Sequence, residues 1–273
     1  ICRFSLVSLL LEVAAYIGGA AAGRSWENFG QVHLTGFSYI DLYAGAVSGF
    51  ENRNGADLFI DSVSPWSFLS QSGPQDSPLN NAGVIIVNGA SGGSTNYTAW
   101  EVKYSQANNG VLNILPGKLL SMQNMDTIDG AINIGAGGSL RLSETHPSGA
   151  RAFNNTVITG PGLVDTVNPG TFVTTFNNVT MNNASLANTA GNLTVPSGIV
   201  SYSGNVGFAA YGDLIFTSDV TVPRNLALSA GAGGSGGIAF TGASVSSGGV
   251  SQSAVAPGAI TLTATSTAKA LLE

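Results

Sequence analysis

The amino-acid sequence predicts an all-β fold, a parallel β-helix (β-solenoid) with about 21 residues per coil. From residue 111 onward, apolar and polar residues alternate over stretches of three to five residues, which is the period of a β-strand. The stretches recur at nearly constant spacing, since Leu193 and Leu214 are 21 residues apart and Ile238 and Ile260 are 22 apart. Three stretches fall in each interval, which indicates a coil of three strands. A β-sandwich also has short strands and frequent turns, but the regular spacing favours the solenoid.

The composition fits stacked coils. Only 9% of the residues are charged, against about 25% in an average globular protein. Strands of successive coils lie about 4.8 Å apart, so stacked like charges repel, whereas stacked Asn side chains form hydrogen bonds along the column. The segments FNNT (residues 153–156) and FNNV (residues 176–179) follow each other at close to the spacing of one coil. We therefore predict that they form a Phe stack and an Asn ladder.

The apolar N-terminal segment, FSLVSLLLEVAAYIGGAAA at residues 4–22, predicts a helix over residues 1–23 that covers one end of the fold. Its basic start and small-residue end also have the outline of a signal peptide, although Glu12 interrupts the apolar run. The run FSLVSLLLEVAA resembles the start of type IV pilins, in which a Phe opens a long apolar helix. Arg3 stands where that family has glycine, and Ser8 stands where it has glutamate.

Residues 24–104 differ from the rest of the chain because they contain all three Trp residues and more charge. We predict that this region is a cap or small head and that residues 105–273 form the parallel β-helix. A cap would cover the exposed sheet edge at the end of a coil, which otherwise invites polymerisation.

The glycine-rich run GAGGSGG at residues 231–237 is predicted to be an enlarged corner between stacked strands. A phosphate-binding loop is excluded, because the chain has no GxxxxGK[ST] motif and residues 119–268 contain no Lys.

Few residues suggest a catalytic or metal-binding role. Asp126, Asp129 and Glu144 form the one acidic cluster, for which a solvated loop or a surface Ca²⁺ site is favoured over catalysis. His33 is predicted to lie in a strand and His146 in a turn. A corner separates Asp213 from Asp219, and Asn192 stands one repeat before Asp213, so no second acid stacks on it as glycoside cleavage would require. We therefore expect no catalytic residues and no cofactor, and the sequence leaves a metal site open.

The segment DLIFTSDVTVPRNLALSAGAGGSGGIAFTGASV, followed later by GAITLTAT, is similar to the coils of filamentous-haemagglutinin-type exoproteins and autotransporter passengers. The resemblance covers about the last 160 residues, and the NPNL-type motifs at the N-terminus of that family are missing. It implies a secreted, surface-associated β-helix that acts as a stalk or adhesin.

Three functions follow from the sequence. The first is an extracellular structural or adhesive β-solenoid, a surface stalk or filament-forming subunit without catalysis. The second is a pilin-like filament subunit assembled through the apolar N-terminal helix, and the third is a tailspike-like or polysaccharide-degrading β-helix. We expect self-association, with a surface glycan or host-surface ligand as a further partner. Nine Lys and Arg residues in the whole chain argue against nucleic acid.

Overall fold

The fold is known from a computed structural model. It describes the following residues: 2–4, 8–11, 15–17, 25–42, 49–64, 66–69, 77–89, 97–143, 151–167, 174–248, 252–256 and 260–263.

The chain forms a parallel β-solenoid with about 24 residues per coil. Each coil contributes one strand to each of three faces, and the strands of a face pair in parallel with their equivalents in the next coil, with one break in the ladder of face A and one in that of face B. From the strand Ser25–Asn28 to the strand Leu214–Phe216, the chain completes about eight coils. Paired strands continue the same arrangement on both sides of this segment.

Face A contains the first strand of each coil. Its continuous ladder contains Cys2–Phe4, Ser25–Asn28, Gly49–Asn52, Pro78–Asn81, residues 103–106, residues 124–128, residues 151–154 and Thr174–Asn177. A separate four-stranded sheet follows in chain order, with Leu193–Val195, Leu214–Phe216, Ile238–Thr241 and Ile260–Thr263.

Face B contains the second strand of each coil. Its ladder consists of Ser8–Leu11, Gln31–Leu34, Asp57–Ile60, Val84–Val87, Val111–Ile114, residues 131–134, residues 156–159, Val179–Asn182 and Ile199–Ser203. A two-stranded sheet of Val220–Val222 and Val245–Ser247 follows in chain order.

Face C contains the third strand of each coil. Its ladder consists of Ala15–Ile17, Ile40–Leu42, Trp66–Leu69, residues 97–100, residues 119–122, Ser139–Leu142, Leu163–Asp165, Ser185–Asn188, Val206–Ala210, Leu226–Ser229 and Gln252–Val255. The strands Tyr97–Gln106, Leu119–Ile134 and Arg151–Thr159 turn corners without interruption and so serve two or three faces each.

The core lies inside the coils. Inward and outward residues alternate along Asp57–Ile60, Val84–Val87 and Val111–Ile114, so that every second side chain is buried. Aromatic side chains also pack along the axis: the ring centroids of Trp26 and Phe50 lie 5.8 Å apart, and those of Phe68 and Trp100 lie 5.8 Å apart. Such edge-to-face pairs add stability beyond their buried area.

Two predictions about local structure are confirmed. Phe153 pairs with Phe176 in register, and their rings stack with centroids 5.0 Å apart. Asn177 donates a 2.8 Å hydrogen bond to Asn154, and Asn178 donates a 2.9 Å bond to Asn155. The Phe stack and the Asn ladder predicted from the two FNN segments are therefore present.

The glycine-rich run forms a corner, as predicted. It connects Leu226–Ser229 on face C to Ile238–Thr241 on face A. Gly234 has a φ of 91°, and Gly236 has a φ of 150°, with the Gly212 carbonyl where a Cβ would lie. Only glycine fits such positions without strain.

The predicted N-terminal helix is wrong. Within residues 1–23 the described segments are three strands, which pair with the strands of the following coil. Short apolar runs fit a helix or a buried strand equally well by periodicity alone. Here the edge strands of residues 25–42 offer a row of backbone partners, and the segment forms one more coil. In the described part of the chain we find no helix whose length and apolarity would allow it to cross a membrane.

The region predicted to be a cap or small head, residues 24–104, contributes strands to the same solenoid, since its described strands pair as successive coils. Pro78–Asn81 pairs with Gly49–Asn52 on one side and with residues 103–106 on the other. The average coil is longer than the repeat predicted from the sequence, because equivalent strands lie further apart along the chain in this region. Trp66, for example, pairs with Ala99 of the next coil, and the intervening chain is much longer than the predicted repeat.

Candidate functional site

In the described part of the chain, a groove with varied polar side chains lies at the corner between face A and face B. We call it the corner groove, and it has a volume of about 340 Å³. Its functional lining consists of Glu51, Arg53, Asn80, Ala82, Ser105, Ala107, Thr127 and Asp129.

The ladder of face A places these residues in two columns. Glu51 pairs with Asn80, and Asn80 pairs with Ser105, so these outward side chains form one wall. The corner residues follow two positions later in each coil. Ala82 donates its backbone N–H to the Asn52 carbonyl, and Ala107 donates to the Asn81 carbonyl, both at 2.8 Å. The second column therefore consists of corner residues in successive coils.

The shape of the groove follows from the sizes of the corner side chains. Arg53 occupies the corner below Ala82, and Asp129 lies in the coil above Ala107. Two alanines between two larger side chains leave a depression along the axis. Sequence reasoning missed this groove because it depends on which corner residues stack.

A buried amide ladder supports the groove from inside. Asn28 donates to Asn52 at 2.8 Å, and Asn52 donates to Asn81 at 2.9 Å. The ladder ends at Gln106, whose Oε1 accepts 2.6 Å and 3.4 Å bonds from Tyr104 and Asn81. Burial raises the pKa of Tyr104 well above its ordinary value, so the phenol stays protonated and donates. Buried amides in such a continuous chain of hydrogen bonds fix the position of each coil.

The cation at one end of the groove is paired with two carboxylates. The Arg53 guanidinium lies 2.7 Å from Glu27 and 2.6 Å from Glu51. The hydrogen bond to Glu27 contributes most to raising the pKa of Arg53, which therefore remains a cation. At the other end, Asn155 donates a 3.3 Å hydrogen bond to Asp129.

A β-bulge lies beside the groove. The register between residues 103–106 and 124–128 shifts, so that Tyr104 pairs with Met125 and Gln106 pairs with Ile128. The register shifts again between Ile128 and Gly130. Bulges redirect side chains and are common near functional sites. Asp126, Thr127 and Asp129 lie within these irregular segments.

The structure separates the residues of the predicted acidic cluster. Asp126 forms a 3.3 Å ion pair with Lys103, whereas Asp129 lines the corner groove. Glu144 lies outside the described residues. Within the described ranges, no group of three or more His, Cys, Asp or Glu side chains is suitable for a metal ion.

The other predicted candidates have local structural roles. His33 lies in a strand, as predicted, and stacks on the Phe59 ring with centroids 4.2 Å apart. Asp213 accepts the Gly237 N–H at 2.8 Å, and Asp219 accepts the Ser244 N–H at 2.7 Å. These two carboxylates thus bind the corner of the next coil. His146 lies outside the described residues.

A pair of acids on face C was not predicted. Asp41 lies in Ile40–Leu42 and is only 1% exposed, and Glu101 follows the face C segment of residues 97–100. Burial raises the pKa of Glu101, and the negative charge of Asp41 raises it further. Strand alternation places Asp41 between two buried aliphatic residues and thus on the outside. Its burial depends on what covers the strand, which the pattern does not reveal.

The raised pKa of Glu101 predicts a pH-dependent effect on stability. A carboxyl group whose pKa is raised on folding stabilises the fold below its unfolded pKa, and this contribution disappears as the pH rises through the folded pKa. Replacement of Glu101 by Gln should therefore raise the thermal midpoint by about 1–2 °C at neutral pH. Near pH 3.5 both forms are neutral, and the midpoints should agree. Calorimetry of both proteins across this range measures the difference. An equal gain at both pH values would contradict the assignment.

Comparisons with known proteins identify no relative. No family model matches the chain, and searches of curated proteins and of solved structures find no match.

Proposed function

We propose that this chain is an extracellular structural or adhesive β-solenoid, a surface stalk or filament-forming subunit that acts by binding and not by catalysis. The observation that carries the proposal is the use of neutral polar side chains for hydrogen bonds between coils. Buried amides join coils inside the solenoid, and on the outside Thr180 and Ser201 approach to 2.9 Å. Such columns link each coil to the next along the axis, as a rigid stalk requires.

Composition and resemblance support the same proposal. The Asn, Ser, Thr and Gly residues that supply the surface polarity are typical of exported surface proteins. The similarity of residues 213–245 to coils of filamentous-haemagglutinin-type exoproteins supports a location outside the cell. We further propose self-association without the N-terminal helix of a pilin, because the described N-terminal segments are strands.

Adhesion under flow tests this function. Beads coated with the full chain are passed over surfaces that carry immobilised polysaccharides, extracellular proteins or a second layer of the chain. We expect the beads to resist a shear that removes beads coated with an unrelated protein of similar net charge. Detachment at the same shear from every surface would contradict an adhesive role. Release of new reducing ends from a polysaccharide surface would contradict the absence of catalysis.

A further inference from the structure

We infer that the corner groove binds a segment of a neutral polysaccharide. The inference rests on the proposed adhesive function and specifies the chemical class of the ligand. Four features support it: the extended shape of the groove, its mixture of donors and acceptors, its charge and an exposed aromatic ring one coil beyond one end.

The groove is elongated along the solenoid axis. Arg53 and Asp129 belong to coils three steps apart, which corresponds to about 14 Å at the spacing of neighbouring strands. Ala82 and Ala107 form the floor between them. A depression that follows the axis suits an extended chain of several linked units better than one compact molecule.

The walls of the groove present the groups that recognise hydroxyls. Glu51 and Asp129 offer carboxylate oxygens, which accept hydrogen bonds. Asn80 offers both a donor and an acceptor, and Ser105 and Thr127 offer hydroxyls that do both. Each hydroxyl of a sugar likewise donates and accepts, so the two sets of groups are complementary.

Charge argues against other classes of ligand. Glu27, Glu51, Asp126 and Asp129 outnumber Arg53 and Lys103 in and beside the groove, which leaves a net charge of −2. Arg53 already bridges two glutamates and Lys103 pairs with Asp126. An anionic polymer would therefore meet a repulsive surface. An apolar peptide would find only two alanine methyl groups in the floor.

An exposed aromatic ring lies in the same column of corner residues, one coil beyond the Arg53 end of the groove. Asn28 pairs with Asn52, so Phe29 occupies the corner one coil below Arg53, and its side chain is 42% exposed. A flat apolar ring beside polar groups is a typical element of small-molecule sites, since it packs against C–H groups while the polar groups fix orientation. The face of a sugar ring provides such C–H groups.

Filling the groove tests the inference. The Ala107→Gln variant places a larger polar side chain on the floor, and Ala190→Gln makes the same change at an exposed corner away from the groove. Binding of the full chain to a panel of soluble neutral glucans, mannans and galactans, and to a polyuronate, is measured by calorimetry. We expect at least one neutral polymer to bind, with its Kd raised at least tenfold by Ala107→Gln and unchanged by Ala190→Gln. Asp129→Asn should also weaken binding, and the thermal midpoints of all three variants should match the wild type.

Each contrary result has a distinct meaning. Equal affinity in Ala107→Gln and the wild type would place the binding site elsewhere and overturn the inference. Binding of the polyuronate alone, or of no polymer, would overturn the ligand class. If the coated beads still resist shear in that case, only the inference fails. If they also detach, the proposed adhesive function fails with it.

Discussion

Replacing Asn52 by Ala should lower the free energy of unfolding by about 3 kcal/mol. Asn52 is 1% exposed and sits in the middle of the buried amide ladder. It accepts a hydrogen bond from Asn28 and donates to Asn81 and to the Val84 carbonyl. Alanine makes none of these bonds and leaves buried polar groups without partners. Denaturation by guanidinium, followed by circular dichroism, measures the loss.

Asn133→Ala is the matched control for this variant. Asn133 also donates to an Asn of the neighbouring coil, with a 2.8 Å bond to Asn113, but this pair lies on the outside. Water can replace the lost bond there, so the change should stay within about 0.5 kcal/mol. If both variants lost the same free energy of unfolding, the buried amide ladder would contribute no more to stability than an exposed Asn pair.

Replacing Phe153 by Ala should lower the free energy of unfolding by about 4 kcal/mol. Phe153 is fully buried and stacks on Phe176 of the next coil, while its backbone pairs with Ile128 of the preceding one. The variant loses the buried ring and leaves a cavity between stacked coils. Because neighbouring coils hold the backbone on both sides, they cannot close this cavity. The same denaturation experiment reports the effect.

Phe37→Ala provides the control for the loss of an aromatic ring. Phe37 lies at a corner and is 77% exposed, so its removal should change stability by less than about 0.5 kcal/mol. A loss of less than about 1 kcal/mol in Phe153→Ala would contradict the axial stack.

Parts of the fold were predictable from the sequence because stacked coils repeat their chemistry. Leu112 pairs with Ile132, and Ile238 pairs with Ile260, as the regular spacing of these apolar residues indicated. In the FNN segments, identical side chains one coil apart meet directly. Where the same residue type recurs after the length of one coil, the sequence predicts that these side chains stack in a column.

The length of the longer coils was not predicted, because residues inserted between strands change the spacing along the chain but not the pairing of the strands. Asn28, Asn52 and Asn81 form one column, although the second interval along the chain is clearly longer than the first. A search for a constant period misses such a column. A search for short motifs that recur at strand ends, such as Glu27-Asn28 and Glu51-Asn52, would have found the first two members of the column.

The candidate site was predictable only in part, for a related reason. Asp129 was selected as an acid near others in sequence, but its position beside the groove depends on the bulge after Met125. Glu51 and Arg53 are far from Asp129 in sequence and come near it only through the stacking of successive coils. A groove made of small corner residues leaves no apolar pattern to detect.

The register across residue 104 decides both the continuous solenoid and the corner groove, and paired cysteines test it most directly. Asn80 and Ser105 are partners on neighbouring strands, so their Cα atoms should lie about 4.8 Å apart, within the range that a disulfide spans. In a Cys2→Ser background, Asn80→Cys with Ser105→Cys should oxidise to an intramolecular disulfide, detected by mass spectrometry. The offset pair, Asn80→Cys with Lys103→Cys, should remain reduced at about 8 Å. Equal oxidation of both pairs, or of neither, would contradict the account.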